Sequence, residues 1–323
     1  MKRLFKAVRS FLALWSLAAC EKREIPVGGQ AVIEGVLMRG PQRWGLSVRT
    51  SEGDIWRHAW ENRPWSRLRP WNLPVLRGVA TMAEMLYTGT KAISLSAEIS
   101  LGEEESLGTW GLVLSIGTAI LAVVGLFIAL PLFSADLAVK YLGLPAGWRH
   151  VVEGLARAGV FIGYVAAIGL WKEIGRVFEY HGAEHKTINA FEAGSPMTPA
   201  VIADYSRVHA RCGTSFLLVV VAVSVVVFSL IGEGGIIWRI GSRVVLLPLV
   251  IGISYEIIKW CGRNPGTGRI LMAPALWLQF LTTREPDESQ IAVALSALWT
   301  ALGEESFVQE TTGGEDHGNS EEA

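Results

Sequence analysis

LGTWGLVLSIGTAILAVVGLFIALPLF, residues 107–133, holds no charged side chain. As a helix rising ~1.5 Å per residue it is long enough to cross the ~30 Å of a bilayer's hydrocarbon. On its N-terminal side stands the acidic cluster Glu103-Glu104-Glu105. Beyond it come apolar stretches at 151–171, with Glu153 and Arg157 near one end, at 214–231, and at 244–260, with Glu256 and Lys259 near its end. A further stretch, 270–283, is short and interrupted by Pro274, which suits an interfacial or re-entrant segment better than a crossing. With 50% hydrophobic residues and a mean hydropathy of +0.35, the 323-residue chain reads as a mainly α polytopic membrane protein of about four spans, with the bilayer as its first partner.

Lys and Arg set the orientation. Placing segments 1–106, 172–213 and 259–323 in the cytoplasm puts 24 of the 29 basic residues inside and four outside, Arg157 lying within a span. Both termini are then cytoplasmic. Residues 1–24 combine a basic start with a short apolar run and Leu17-Ala18-Ala19-Cys20, which looks like a lipoprotein cleavage box. The charge argument favours an amphipathic helix on the membrane surface instead. Residues 25–106 change character: runs at 31–38, 45–50 and 54–60, separated by Gly40-Pro41 and Ser51-Glu52-Gly53-Asp54, predict a three-stranded β-meander. After the Pro/Trp/Arg-rich connector 63–74, helical spacing of Leu76, Val79, Met82, Met85, Leu86 and Ile93 predicts an amphipathic helix on the membrane or the bundle. A membrane domain at 107–283, including a cytoplasmic motif loop at 172–213, precedes a helix at 284–303 and an acidic disordered tail at 304–323. Three scattered cysteines do not make a disulfide framework.

The chemistry concentrates in Glu179-Tyr180-His181-Gly182-Ala183-Glu184-His185-Lys186. On a helix, His181 and His185 share a face with Glu184 about 60° to one side. This His-x-x-Glu-His order is the reversed zincin pattern, in which two imidazoles hold a divalent ion and the intervening Glu is the general base. Zinc is the first expectation, with iron or manganese as alternatives. His209, Cys212, Glu34, Asp204 and Glu256 are candidate further donors. Closure by His209 and Cys212 makes a structural site; two histidines and a carboxylate leave a position for water. The second span is expected to continue as one helix to about residue 191, leaving the histidines ~15–20 Å beyond its membrane end. Glu192 lies on the same face as His181, ~16 Å along the axis, too far to share its ion. No Glu stands three residues before either His, which argues against a ferritin-like di-iron site. Glu34 and Arg39 are candidate substrate contacts or a cross-strand ion pair; Arg211 is placed to lower the Cys212 pKa, and Glu256 has local partners in Lys259 and Arg263. No phosphate loop, nucleophilic Ser motif or basic-aromatic array for nucleic acid is present.

Four motifs, in order, carry a resemblance: Gly28–Pro41 (GGQAVIEGVLMRGP), Glu179–Glu192 (EYHGAEHKTINAFE), His209–Phe216 (HARCGTSF), and Tyr255-Glu256 with Cys261–Pro265 (CGRNP). Over residues 25–283 the chain resembles the YqhQ-like family of bacterial membrane proteins, a family of unknown function labelled predicted metal-dependent enzymes. The resemblance implies a multi-pass protein of the bacterial inner membrane. Glu179, Glu192 and Asn264, which lie within these polar segments, complete the candidate site residues. Two functions follow: a metal-dependent hydrolase of undefined substrate with Glu184 as base, or a non-enzymatic scaffold or subunit of a transport or envelope complex, as a homo-oligomer or with membrane partners. A transporter is disfavoured by having only four spans and few intramembrane charges.

Overall fold

The computed structural model describes residues 27–101, 109–209, 212–231 and 234–304. The N-terminal segment with Cys20, the Glu103–Glu105 cluster, Arg211 and the acidic tail beyond Glu304 lie outside them.

The N-terminal region is a four-stranded antiparallel sheet, not a three-stranded one: β1 (Gly28–Val32), β2 (Gly35–Arg39), β3 (Arg43–Arg49) and β4 (Ile55–Glu61), paired in sequence order. The run 31–38 folds back on itself, so that Val32 pairs with Gly35 across Ile33-Glu34. Glu34 takes a left-handed backbone, φ 49°, which few non-glycine residues adopt. Both faces of the sheet are covered. Val36 and Met38 of β2 point into a core with α10 (Glu288–Leu302), while Leu37 points the other way, toward α1 (Leu76–Leu101). Alternate burial on two covered faces explains why β2 reads as a continuous apolar run. An Asp287–Gln290 capping box starts α10.

Helix α1 joins this layer to the apolar helices. Its first turn packs on α8 (Ile236–Arg263), where Gly78 meets Tyr255, and its second half covers the sheet through Met85, Ala92, Leu95 and Ile99.

The apolar part contains α2 (Thr109–Val124), a π-helical turn (Gly125–Ala129), α3 (Leu130–Leu142), α4 (Arg149–Ile168), α7 (Gly213–Ser229), α8, and α9 (Pro265–Thr282). Among the described residues, three helical stretches are long and apolar enough to cross a membrane, Gly117–Leu142, Arg149–Ile168 and Ile237–Arg263, where four were expected. Gly213–Ser229 and Ile270–Thr282 are shorter apolar helices; 17 residues of α7 reach only ~25 Å. The first helical stretch runs on past the expected end at residue 133 and takes in Asp136, whose carboxylate receives both Nη atoms of Arg239 at 2.8 and 3.0 Å.

Inside the bundle, Glu153 of α4 is 1% exposed and lies between Arg157, at 2.7 Å, and Arg243 of α8, at 2.8 Å. Arg157 also donates to the Ser224 hydroxyl and, through Nε, to the Phe127 carbonyl in the π turn.

The second apolar helix does not continue to residue 191. It ends at Ile168; Trp171 is extended, and α5 (Lys172–Ala193) begins in a new direction, with α6 (Pro199–Ala203) after it. Arg284 donates to the Gly169 carbonyl at this break, and its amide donates to Phe178. The motif helix packs on α10 and on β1 and β2, and the end of α9 reaches it at His181.

Candidate metal centre

Helix α5 carries His181, Glu184 and His185, as its spacing predicts, and three other segments meet it. The loop after α9 crosses α5 at Gly182, where a Cβ would collide with the Arg284 carbonyl. That close approach sets the Thr282 carbonyl 2.9 Å from His181 Nδ1. The loop after α6 places the Arg207 carbonyl 2.7 Å from His185 Nδ1. A carbonyl only accepts, so both rings carry a proton on Nδ1, and in the neutral ring Nε2 is the nitrogen left to bind. Cys212, the residue preceding α7, supplies the third donor: its Sγ is 3.3 Å from His181 Nε2. Donor atoms of His181, His185 and Cys212 all lie within 4.8 Å of one another.

The loop that holds His185 is itself tied down by α5. Lys186 Nζ donates to the Ala203 and Tyr205 carbonyls at 2.7 and 2.8 Å, and Asn189 donates to those of Ser206 and Val208. Gln279 of α9 clamps the backbone of His209 from the other side, accepting from its amide and donating to its carbonyl at 2.8 Å each. Lys186 and Asn189 stand in the motif as read, but nothing in their spacing marks them as loop anchors. Gln279 lies in an otherwise apolar segment, and a lone amide there was the available signal.

Glu184 is 4% exposed, and its Oε2 has no hydrogen-bond partner. The amide of Gly29 in β1 donates to its carboxylate, and a Cβ on Gly29 would stand 3.0 Å from Glu184 Oε1. Burial pushes the carboxyl up to about 8, against the opposing effects of His181 and the Gly29 amide. Burial also lowers the His185 pKa and keeps the imidazole neutral, the form that binds metal. For Cys212, burial pushes the thiol up, but His185 and hydrogen bonding with Thr214 more than offset it and leave it below its ordinary value.

The other candidate residues are placed elsewhere. His209 is buried with its ring 5.8 Å from that of His185, outside the three-donor group, and its Nε2 lies 3.6 Å from Glu192. Asp204 is not in the group either. Glu256 is not brought to the cluster: Arg77 of α1 takes its carboxylate through Nε at 2.6 Å and through Nη2. Neither Lys259 nor Arg263 forms its salt bridge; the partner is 179 residues away. Glu34 and Arg39 do not pair across strands. Glu34 is held by Arg176 and the Tyr180 hydroxyl of α5, which keep its carboxyl below the usual range, and Arg39 by Glu84 of α1 at 2.8 Å. Glu179 accepts from Gln290 of α10, and Asn264 bonds the Trp260 carbonyl at the α8–α9 junction. Arg211 is outside the described residues.

A family model described as "Protein of unknown function (DUF1385)" matches residues 73–304. The chain belongs to this family. It is 33% identical over 297 residues to the "Uncharacterized protein YqhQ" of Bacillus subtilis (strain 168), an alignment covering 85% of this chain and 92% of that protein. No solved structure matches. The matched region contains all three grouped donors and Glu184, whereas the sheet that supplies Gly29 precedes it.

Proposed function

We propose that this is an integral protein of the bacterial inner membrane with a one-metal hydrolytic centre at its cytoplasmic face. His181 Nε2, His185 Nε2 and Cys212 Sγ are the ligands, zinc is the first choice of ion, and iron or manganese are the alternatives. The observation that carries the reading is the anchoring of both imidazoles by backbone carbonyls so that their free nitrogens converge with Cys212 Sγ. Metal-binding histidines are oriented in this way by hydrogen bonds from the other ring nitrogen. An ion held by these three protein donors would keep one position for water or substrate.

A bound ion supplies Lewis acidity, lowering the pKa of water and polarising a substrate carbonyl or phosphoryl oxygen. Glu184 then has a defined task. Its unpartnered Oε2 is the oxygen that accepts the proton of the attacking water; burial raises its affinity for that proton, and a cation beside it would lower its pKa from about 8 and so free it to act as base near neutral pH. The same group later returns the proton to the leaving group.

The test is metal content by mass spectrometry on detergent-purified protein, wild type beside the His181→Ala/His185→Ala variant. About one ion per chain, absent from the variant, is the expected result. A metal-free wild type, or a variant that keeps its ion, overturns the assignment.

A second reading rests on His209, whose buried ring lies beside His185. If it turns inward it closes a four-ligand structural site, and the protein is then a scaffold or complex subunit. Under the hydrolytic reading His209→Ala keeps its metal; under the structural one it loses affinity by ~10-fold or more.

A further inference from the structure

The β1–β2 hairpin touches the motif helix at two levels. At its tip, Glu34 is gripped by Arg176 and Tyr180, both on α5. Near its open end, Gly29 sits against Glu184, two turns further along the same helix. The grip at the tip fixes the hairpin along α5, and the strand register then fixes where Gly29 falls. Gly29 also lies directly over the partner strand, so that a Cβ would stand 2.7 Å from the Leu37 carbonyl as well as 3.0 Å from the Glu184 carboxylate. Its neighbour Gly28 is different: a Cβ there meets nothing within 4 Å. The two adjacent glycines therefore have separate reasons to be present, and only the second concerns the site.

We infer that the hairpin is a working part of the metal centre, with Gly29 as a positioning residue. Its amide holds one oxygen of Glu184 so that the other, unpartnered oxygen faces the position beside the three donors. The inference rests on the reading of Glu184 as the base. It explains an otherwise unexplained pairing of features, a strained Glu34 turn at one end of the hairpin and a glycine-only contact at the other. A carboxylate with both oxygens free to rotate would spend part of its time turned away. With one oxygen held by a backbone amide, the second is presented without that loss. Gly29 makes no contact with substrate in this role; it acts through Glu184.

Cobalt substitution tests this without a known substrate, because Co(II) d–d bands respond to the hydrogen bonding of the group at the open position. Full-length protein is loaded with Co(II), and the spectra of wild type, Glu184→Gln, Gly29→Ala and Gly28→Ala are compared at matched metal content. Glu184→Gln is expected to shift the bands, Gly29→Ala to shift them in the same direction, and Gly28→Ala to overlay the wild type. If Gly29→Ala does not fold, Glu34→Gln loosens the hairpin from its tip and is expected to give a smaller shift of the same sign. A spectrum unchanged in Gly29→Ala, or in Glu34→Gln when that variant stands in for it, while Glu184→Gln shifts, overturns the positioning role alone. Failure of the wild type to bind Co(II) at the cluster overturns the metal reading beneath it.

Discussion

Two buried carboxylates divide this molecule. Glu153, inside the apolar bundle, has a guanidinium on each side, and each guanidinium has further acceptors in Ser224, Ser242 and the Phe127 carbonyl. Glu184, at the bundle's end, has one backbone amide and an oxygen with no partner at all. Both are almost fully buried. A buried charge whose bonding capacity is used up explains itself structurally, whereas one left incomplete asks for something the protein alone does not supply. Glu153 is thus the better guide to how the helices are locked together, and Glu184 to what the protein does.

The largest effect should come from breaking the completed network. Glu153→Ala strands Arg157 and Arg243 in an apolar interior and is expected to cost about 3–5 kcal/mol of stability, read by unfolding in mixed detergent micelles. Metal content of the surviving folded protein should not change. The incomplete site should respond with the opposite sign. In metal-free protein Glu184→Gln removes an ionisable group from a dry place and should stabilise by up to about 4 kcal/mol at pH 8. The pH dependence follows from the raised carboxyl. The folded state holds its proton up to about pH 8 while the unfolded state releases it near 4.5, so the wild type loses stability relative to the variant as pH rises through that window, by at most ~1.4 kcal/mol per unit. Equal slopes for the two proteins would show that Glu184 is solvated or paired, and the contrast with Glu153 would disappear. The smallest effect is expected at Glu256→Gln. Its pair with Arg77 is partly exposed, so the loss should stay below ~1 kcal/mol, with full metal occupancy. Loss of metal there would return Glu256 to the ligand set.

Periodicity made the motif helix readable, since His181, Glu184 and His185 occupy one side of α5 by spacing alone. The division of 31–38 into two strands was not readable. Ile33-Glu34 lacks the Asn-Gly or Gly-Asn chemistry of a two-residue turn, and the left-handed Glu34 is held by Arg176, 142 residues away. The extension of the first apolar stretch past residue 133 has the same kind of cause. Asp136 marks the end of an uncharged run in the sequence, but Arg239 neutralises it inside the helix. In each case a local rule gave way to a distant side chain. The break at Gly169-Leu170-Trp171 matters most for the site, because beyond it α5 packs on α10 and the β1–β2 hairpin rather than running on from α4. A glycine in an apolar run was its only local sign.

Two of the three donors are anchored at the ends of apolar helices. Cys212 immediately precedes α7, and the Thr282 carbonyl that orients His181 is the last residue of α9. Helices in a bilayer tilt to match their apolar length to the thickness of the lipid around them. For a protein embedded as proposed, a change in acyl-chain length is therefore a change in the angle at which these two anchors approach α5. The membrane is then a mechanical setting for the chemistry at its surface as well as the solvent for the bundle.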